Sequence, residues 1–288
     1  MTMLNDPKQM SIKKLLIDFD ILMYEAAHKA DGKYYHYPEV DFDTPFEDEM
    51  SRFIKLNKLD KDLVEICYSP QSPQVAYDCI DHRMKEILAD FGDAVEYSGF
   101  LTGRGNFRYR VATIQRYKGN RVELRKPQYI QEARQYLIDT YKAVEVKEEE
   151  ADDAMGYSQR EDTCICTTDK DLKQIPGWHY QWSTPWHKES FSFFVEPVEG
   201  LRYFYKQLII GDRGDNILGL YGISKDSVYC KRIDALETEQ DMFDLVYALY
   251  KQRFGNYTEQ FLLETGRLLW IRREERQMWD FKHLIEGY

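Results

Sequence analysis

Four groups of carboxylates stand where apolar segments of this sequence begin or end. They are Asp18 with Asp20, the acidic run Glu148–Asp153, Asp169 with Asp171, and Asp212 with Asp215. Carboxylate oxygens are the ligands that Mg²⁺ and other hard divalent cations take in proteins. The four groups together predict one shared site for such cations. The acidic run alone also fits an ordinary helix start, because negative charge is favourable at a helix N-terminus.

The elements that must position these carboxylates alternate between strand and helix up to about residue 195. The predicted strands are Lys13–Asp18, Ala94–Leu101, Val144–Val146, Thr163–Thr167, His179–Trp182 and Phe191–Val195. The predicted helices are Ile21–His28, Pro45–Leu59, Val75–Phe91, Pro127–Ala143, Glu150–Arg160, Lys170–Ile175, Tyr203–Ile210, Ser224–Ile233, Glu237–Phe254 and Thr258–Arg272. This order predicts an α/β core followed by a helical C-terminal part. Carboxyl ends of parallel strands meet at one edge of a sheet, where α/β folds place their sites.

Charge and composition narrow the class of partner. The chain has 288 residues and a net charge of −11, yet Gly103–Lys126 contains eight basic residues and one acid. Such a segment beside a carboxylate cluster indicates a protein that handles phosphates, although a solvated basic loop has the same composition. No apolar run approaches the length of about 18 residues that a membrane span needs. The five cysteines form no CxxC pair, and no signal peptide is recognisable, so we expect a reduced, cytoplasmic protein.

Two further segments have chemistry suited to nucleic acid. In Tyr117–Arg121 the aromatic ring could stack on a base, and Lys118 and Arg121 could reach a scissile phosphate. Gly211–Ser224 contains four glycines and predicts a tight turn that opens a helix. Exposed amides in such turns bind phosphate without reading base sequence.

These segments, in this order, resemble the bacteriophage and bacterial 5′-nuclease family. The matching segments are Asp18 after the first strand, Tyr117–Arg121, Glu150–Asp153, Thr168–Leu172 and Gly211–Ile217. That family includes phage 5′→3′ exonucleases, flap endonucleases, phage ribonuclease H and the 5′-nuclease domain of DNA polymerase I. The resemblance covers roughly residues 13–230.

The resemblance implies a PIN-like α/β domain with a central, mostly parallel sheet and a helical arch. The catalytic domain would span residues 1–200 with the arch at about 103–135. A helical DNA-binding region would span 201–288, with a helix–three-turn–helix element at about 203–233. The family usually has a further Asp at the end of the second strand, where this chain has Leu101-Thr102-Gly103.

The resemblance also implies roles for individual residues. The acids that match the family's metal ligands are Asp18, Glu150, Asp152, Asp153, Asp169, Asp171, Asp212 and Asp215. Asp20 would position these ligands without binding the metal itself. Glu148 and Glu149 would be solvated acids at the helix start. Lys118 and Arg121 would be catalytic. The predicted DNA-binding residues are Arg116, Tyr117, Asn120, Gly211, Gly214, Asn216, Gly219, Gly222, Ser224 and Lys225. The implied cofactors are two Mg²⁺ or Mn²⁺ ions, with a K⁺ ion at the helix–three-turn–helix element.

The sequence therefore predicts a monomeric, metal-dependent 5′-nuclease that hydrolyses DNA at 5′ ends, flaps or forks and leaves 5′-phosphates. RNA–DNA hybrids are a further candidate substrate, and the cytoplasm, that of the host for a phage protein, is the expected location. A structure-specific DNA-binding protein with an impaired metal site is the first alternative, favoured by Gly103. A PIN-type ribonuclease is the second, but it leaves the glycine-rich turn unexplained.

Overall fold

The computed structural model describes residues 2–4, 11–92, 95–185 and 187–285. Two compact units divide the chain. The first comprises Met1–Asp20, Leu88–Leu124 and Ala143–Tyr288, and the second comprises Ile21–Ile87 and Arg125–Lys142. The functional boundary near residue 200 remains a prediction. Among the described residues no helix combines the length and the apolar character needed to cross a membrane.

Ten strands and eleven α-helices make up the described structure. The strands are β1 Thr2–Leu4, β2 Lys14–Asp18, β3 Lys33–Tyr37, β4 Phe42–Thr44, β5 Glu65–Tyr68, β6 Glu96–Thr102, β7 Val144–Val146, β8 Thr163–Cys166, β9 Gly177–Gln181 and β10 Phe191–Val195. The helices are α1 Phe19–Asp31, α2 Glu47–Asn57, α3 Pro73–Phe91, α4 Arg108–Val111, α5 Ile130–Tyr141, α6 Ala151–Ser158, α7 Pro197–Ile210, α8 Val228–Asp234, α9 Glu239–Phe254, α10 Thr258–Leu269 and α11 Lys282–Ile285. Short 3-10 turns include Gly119–Arg121 and Asp171–Gln174.

The first unit is built on a seven-stranded sheet in the order β1-β10-β9-β8-β2-β6-β7. The pairs β2–β6, β2–β8, β6–β7 and β8–β9 are parallel, while β10 pairs antiparallel with β9 and with β1. The predicted α/β class with a mostly parallel sheet is confirmed. Central β2 reads Lys-Leu-Leu-Ile-Asp, and its three apolar residues are buried, as expected for a parallel strand covered on both faces.

Beyond β10 the first unit is helical, as predicted. A large apolar core joins α7, α9 and α10, with Phe204, Leu208, Val246 and Leu262 buried at its centre. The amphipathic pattern of these helices explains the packing, since each buries one apolar face against the others. The helices follow the predicted order with boundaries shifted by a few residues.

The second unit contains an element that the sequence pattern did not predict. Strands β4, β3 and β5 form a small antiparallel sheet in that order, in a region where only one helix was expected. That helix is present as α2. In β3 the side chains of Tyr35 and Tyr37 point to one side and are buried against Met50. Strands of three to five residues carry too short an alternation of apolar and polar residues to stand out. The predicted strand start at Ala94 lies outside the described residues.

Gly99 and Phe19 lie in close contact beside the acids, and this contact gives a test of the fold there. A Cβ atom added to Gly99 in β6 would lie 2.0 Å from the ring of Phe19, which separates Asp18 from Asp20 and is fully buried. We expect Gly99→Ala to lower the free energy of unfolding by about 1–3 kcal/mol through overpacking. Urea denaturation measures this change. Adding Phe19→Leu should recover part of the loss, because contacting residues are coupled. A Gly99→Ala variant as stable as the wild type would contradict the packing.

Candidate active site

The ends of three parallel strands are tied together where the predicted acids lie. Asp18 is the last residue of β2, and its carboxylate accepts a hydrogen bond of 2.8 Å from the Thr167 hydroxyl after β8. The backbone N–H of Thr102, which ends β6, donates to both oxygens of Asp20 at 3.1 and 3.2 Å. The Thr102 hydroxyl accepts from the N–H of Ala151, the first residue of α6. Short polar side chains therefore bring four elements to one edge of the sheet.

Asp152 lies within the strongest concentration of negative charge in this region. Its pKa is raised well above the usual value, first by burial and then by the charges of Asp169 and Asp18. Like charges at short range disfavour ionisation, so the charges of Asp169 and Asp18 add to the effect of burial on Asp152. A divalent cation would relieve this repulsion.

Asp171 and Asp212 form a second carboxylate group with Lys170 between them. Lys170 Nζ lies 2.8 Å from Asp171 and 3.1 Å from Asp212. The backbone N–H of Asp171 donates to Asp169 at 2.8 Å, and the Gln207 amide donates to the Asp171 carboxylate at 2.8 Å. Burial, followed by the charge of Asp169, raises the pKa of Asp171 to about 7, although Lys170 opposes the shift.

Glu150 and Asp215 form a third group, and both are held by the basic segment. Lys118 Nζ lies 2.5 Å from Glu150 and 3.8 Å from Asp215, while Arg121 lies 2.5 Å from Asp215. The Tyr117 hydroxyl donates to Asp215 at 2.6 Å and lies 3.0 Å from Glu150. Burial alone would raise the pKa of Glu150, but Lys118 and Arg108 outweigh it and lower that pKa.

The stacking role predicted for Tyr117 is not available in this structure. Its side chain is only 1% exposed and its ring packs edge-on against Tyr109 at 5.4 Å between centroids. A ring that is enclosed by protein on both faces offers no surface to a nucleobase. Tyr117 instead positions the carboxylates of Glu150 and Asp215 through its hydroxyl.

Asp153 is engaged in a buried salt bridge. Its two oxygens accept hydrogen bonds of 2.5 and 3.0 Å from the guanidinium of Arg108, and one also accepts from the N–H of Arg272. Arg108 further donates to the carbonyls of Leu268 and Trp270. Both Asp153 and Arg108 are buried, so a direct bond from Asp153 to a metal ion would require this network to break. We therefore leave Asp153 out of the ligand set proposed below.

The first turn of α6 corrects one more expectation. Glu150 caps the helix, and its N–H donates to the Asp153 carboxylate at 3.1 Å in a reciprocal capping box. Glu149 was expected to be solvated, but it is buried and accepts from Arg272 and from the Tyr157 hydroxyl, each at 2.7 Å. Glu148 is exposed, as expected. The acidic run therefore contains structural acids as well as candidate ligands.

The glycine-rich loop between α7 and α8 is closed on itself. Asp212 and Ile217 exchange backbone hydrogen bonds of 2.8 and 2.7 Å. Gly211 has φ of 70°, and a Cβ there would lie 2.2 Å from the Ile217 carbonyl, so only glycine fits. At the other end of the loop Gly222, Ser224 and Lys225 are exposed. The loop joins α7 to α8, and the helix–three-turn–helix element at about 203–233 stays a prediction.

The basic segment contacts this loop through several predicted DNA-binding residues. The Asn120 amide donates to the Arg213 carbonyl at 2.7 Å, and Arg121 Nε donates to the Gly214 carbonyl at 2.8 Å. The Asn216 amide donates to the Arg116 carbonyl at 2.8 Å. Several other predicted contacts lie on the loop itself. They are Gly211, Gly214, Gly219, Gly222, Ser224 and Lys225.

The segment predicted to form a helical arch is not a continuous helix. Residues 103–124 contain α4 and the 3-10 turn Gly119–Arg121, and the rest is irregular. Glu264 in α10 accepts hydrogen bonds of 2.8 Å from the backbone N–H groups of Thr113 and Ile114. This segment therefore lies docked against the protein, held at Arg108, at residues 113–114 and at the glycine-rich loop.

The donor set fits a hard divalent cation in chemical type. Its atoms are carboxylate oxygens, and burial together with neighbouring carboxylates raises the pKa of Asp152 and Asp171. In the described parts of the chain, however, no three His, Cys, Asp or Glu side chains converge closely enough to hold a metal ion. Cationic side chains occupy the second and third carboxylate groups instead, through Lys170, Lys118 and Arg121.

Sequence reasoning missed the residues that fix the positions of the acids through hydrogen bonds and ion pairs. Arg108 was counted only as one cation of the basic segment, and nothing local distinguishes it from its exposed neighbours. Thr102 directly follows one predicted strand and Thr167 ends another, positions where a hydroxyl can bind a strand-end carboxylate. Lys170 stands between two predicted ligands in Asp-Lys-Asp, which is a readable signal for an internal counter-ion.

Gly103, at the place of the expected further Asp, is fixed by the backbone. A Cβ atom there would lie 2.2 Å from the Val146 carbonyl of β7. We expect Gly103→Asp to lower the free energy of unfolding by about 1–3 kcal/mol, without tighter binding of divalent cations. Urea denaturation and calorimetric titration with Mn²⁺ measure the two effects. Gly103→Ala is the control, because equal destabilisation by both variants identifies the clash as the cause. An aspartate variant with wild-type stability would contradict it.

The pKa of Asp171 gives a prediction for stability against pH. The folded value of about 7 exceeds the ordinary 3.8, so the folded state binds this proton more tightly than the unfolded chain. The resulting stabilisation is complete at low pH and disappears as pH rises through about 7. With a metal chelator present, we expect Asp171→Asn to melt several degrees above the wild type at about pH 8.5, to keep a smaller advantage near pH 5.5, and to lose it as pH falls to about 4. The exposed Asp226→Asn is the control, and an equal gain there would refute the local cause.

Comparison with known proteins gives matches only among solved structures. No protein-family model and no curated protein sequence matches this chain. The bacteriophage T5 D15 protein co-crystallised with metal ions is 14% identical with a TM-score of 0.42, over 86% of this chain and 96% of that one. The T5 D15 flap endonuclease in a pseudo-enzyme-product complex with DNA and metal ions is 12% identical, with a TM-score of 0.39, over 89% and 98%. A T5 5′-exonuclease mutant is 11% identical, with a TM-score of 0.37, over 89% and 99%. These structures are phage 5′-nucleases, the family that the sequence motifs resemble.

Proposed function

We propose that this chain is a divalent-metal-dependent 5′-nuclease that hydrolyses phosphodiester bonds in DNA. The observation that carries this proposal is the meeting of acids from four elements at the carboxyl end of the sheet, beside cations of the basic segment. Acids in such excess suit metal ions, and the neighbouring cations suit phosphates. The same end of the sheet therefore offers carboxylates for metal ions and cationic side chains for the phosphate of a phosphodiester.

The residues divide by what they can hold. Asp18, Asp152 and Asp169 act on one another electrostatically, and we assign them to the first Mg²⁺ or Mn²⁺ ion, which would draw the three carboxylates closer together than they lie in the structure. Asp171 with Asp212, and Glu150 with Asp215, are the next candidate ligands. Asp20 orients the end of β6 through Thr102. When bound, such ions activate a water molecule and stabilise the leaving oxygen of the phosphodiester.

The basic segment and the glycine-rich loop would bind the nucleic acid. Lys118 and Arg121 would hold the phosphate beside the acids and stabilise its charge as the bond breaks. The exposed loop residues Gly222, Ser224 and Lys225 would contact duplex backbone without reading bases. Carbonyls of the same loop are where we place the K⁺ ion. The products would be a 5′-phosphate and a 3′-hydroxyl.

A flap substrate with a labelled 5′ end tests the activity in the presence of Mg²⁺. Release of a labelled mononucleotide identifies an exonuclease, and release of a labelled oligonucleotide identifies a flap endonuclease. We expect Asp152→Asn and Asp169→Asn each to lower the rate by about 10²-fold or more, because charge stabilisation at the reacting centre is lost. The exposed Glu148→Gln should retain wild-type activity. Equal cleavage by wild type and both Asn variants would contradict the proposal. Matched RNA–DNA hybrid arms establish the substrate class.

A second candidate is a structure-specific DNA-binding protein without cleavage. Gly103, and the lack of three converging acids among the described residues, favour it. Both candidates predict binding of forked DNA, so binding alone does not separate them. Tight binding of the same flap with no product in Mg²⁺ or Mn²⁺ would establish the second function.

A further inference from the structure

Two of the acids assigned to the site are already held by cations of the protein itself. Lys118 lies 2.5 Å from Glu150, and Arg121 lies 2.5 Å from Asp215, with Lys118 also 3.8 Å from Asp215. The same arrangement recurs with Lys170 at Asp171 and Asp212. Cationic side chains thus stand where a bound metal ion would need the carboxylate oxygens.

The pair at Glu150 is mostly removed from water. The side chains of Glu150 and Lys118 are 13% and 22% exposed, whereas Arg121 is 49% exposed. Charges in a partly desolvated pair attract more strongly than at the surface, and removing one partner leaves the other unpaired at a cost. Lys118 is therefore the stronger of the two internal counter-ions, and Arg121 is the more easily released.

The backbone beneath these cations is fixed. The N–H of Lys118 donates to the Asp215 carbonyl at 2.9 Å, and the N–H of Arg121 donates to the Lys118 carbonyl at 3.0 Å. Tyr117 is buried, and the Asn120 side chain is bonded to the loop. Exchange of partners at Glu150 and Asp215 therefore needs rotation of two long side chains and release of the Arg121 Nε bond to the Gly214 carbonyl, while the segment stays in place.

A divalent cation and an ammonium group cannot both occupy the same carboxylate oxygens, since their charges repel. Once displaced, Lys118 and Arg121 need a new anion, and a phosphate of the substrate is the anion that the proposed function brings. We propose that Lys118 and Arg121 are internal placeholders for a divalent cation at Glu150 and Asp215, so that cation binding and phosphate binding promote each other. This proposal rests on the metal and phosphate ligands of the proposed function, and on no cleavage step.

The coupling is reciprocal by thermodynamic necessity. If a phosphate backbone draws Lys118 away, the affinity of Glu150 and Asp215 for a cation rises by the same factor as the cation raises phosphate affinity. A chain without substrate would then bind the cation weakly at these two acids. The site would be completed only when nucleic acid is present.

Calorimetric titration with Mn²⁺ on the free protein tests the placeholder role. We expect Lys118→Gln and Arg121→Gln to bind Mn²⁺ about 5–150-fold more tightly than the wild type, the range typical of coupled sites. Arg104→Gln removes a charge from an exposed residue of the same segment, and its Mn²⁺ affinity should stay near that of the wild type. Thermal melts confirm that each variant is folded. Wild-type or weaker Mn²⁺ affinity in both folded variants would overturn the proposal, as would an equal gain in Arg104→Gln.

A second titration tests the coupling itself. With Ca²⁺ as the ion and a short phosphorothioate oligonucleotide as the polyanion, the wild type should bind Ca²⁺ several-fold more tightly when the oligonucleotide is present. Lys118→Gln should show little of this enhancement. An enhancement that is the same in both proteins, or absent from the wild type, would overturn the coupling. Because both titrations measure binding only, a protein that fails to cleave flaps can still confirm the coupling, and a nuclease can still refute it.

Discussion

The need to compensate negative charge at one end of the sheet governs the organisation of this molecule. Strand ends and the start of α6 bring the carboxylates together, and isolated carboxylates in a low-dielectric interior are very unfavourable. Four cationic side chains lie among these carboxylates and form ion pairs with them. They are Arg108, Lys118, Arg121 and Lys170. The docking of the basic segment and the closed glycine-rich loop both follow from this balance. The acids around Asp152 are left with the largest excess of charge.

The acids accordingly separate into two kinds. Asp153 and Glu149 are buried partners of arginines and hold α6 in the fold. Asp152, Asp169 and Asp171 have their negative charges set against one another, which costs stability that a cation could return. Functional sites often contain such mutually repelling groups, which lower the local stability but can bind a ligand. The structural pairs around α6 are what allow the protein to tolerate it.

The parts of this organisation that depend on local pattern could be predicted from the sequence. The apolar run of β2 and the strand-end acids follow from burial and from the topology of parallel sheets. The partner of Asp153 could not be predicted, because Arg108 lies 45 residues away and resembles its exposed neighbours. The burial of Tyr117 likewise depends on Asp215, 98 residues later, against a local composition that indicates exposure. The small sheet of the second unit was not predicted, because its strands are too short to show an alternation of apolar and polar residues.

The contacts of Arg108 also determine how late during synthesis of the chain its bonds can form. Its guanidinium binds the carbonyls of Leu268 and Trp270, and the Asp153 carboxylate accepts from the N–H of Arg272, 119 residues further along the chain. A nascent chain that ends before this segment holds its acidic cluster without those bonds. The bonds of Arg108 and Asp153 to the segment around residue 270 can therefore form only after nearly the whole described chain has been synthesised. A polypeptide interrupted earlier would carry the acids without these bonds.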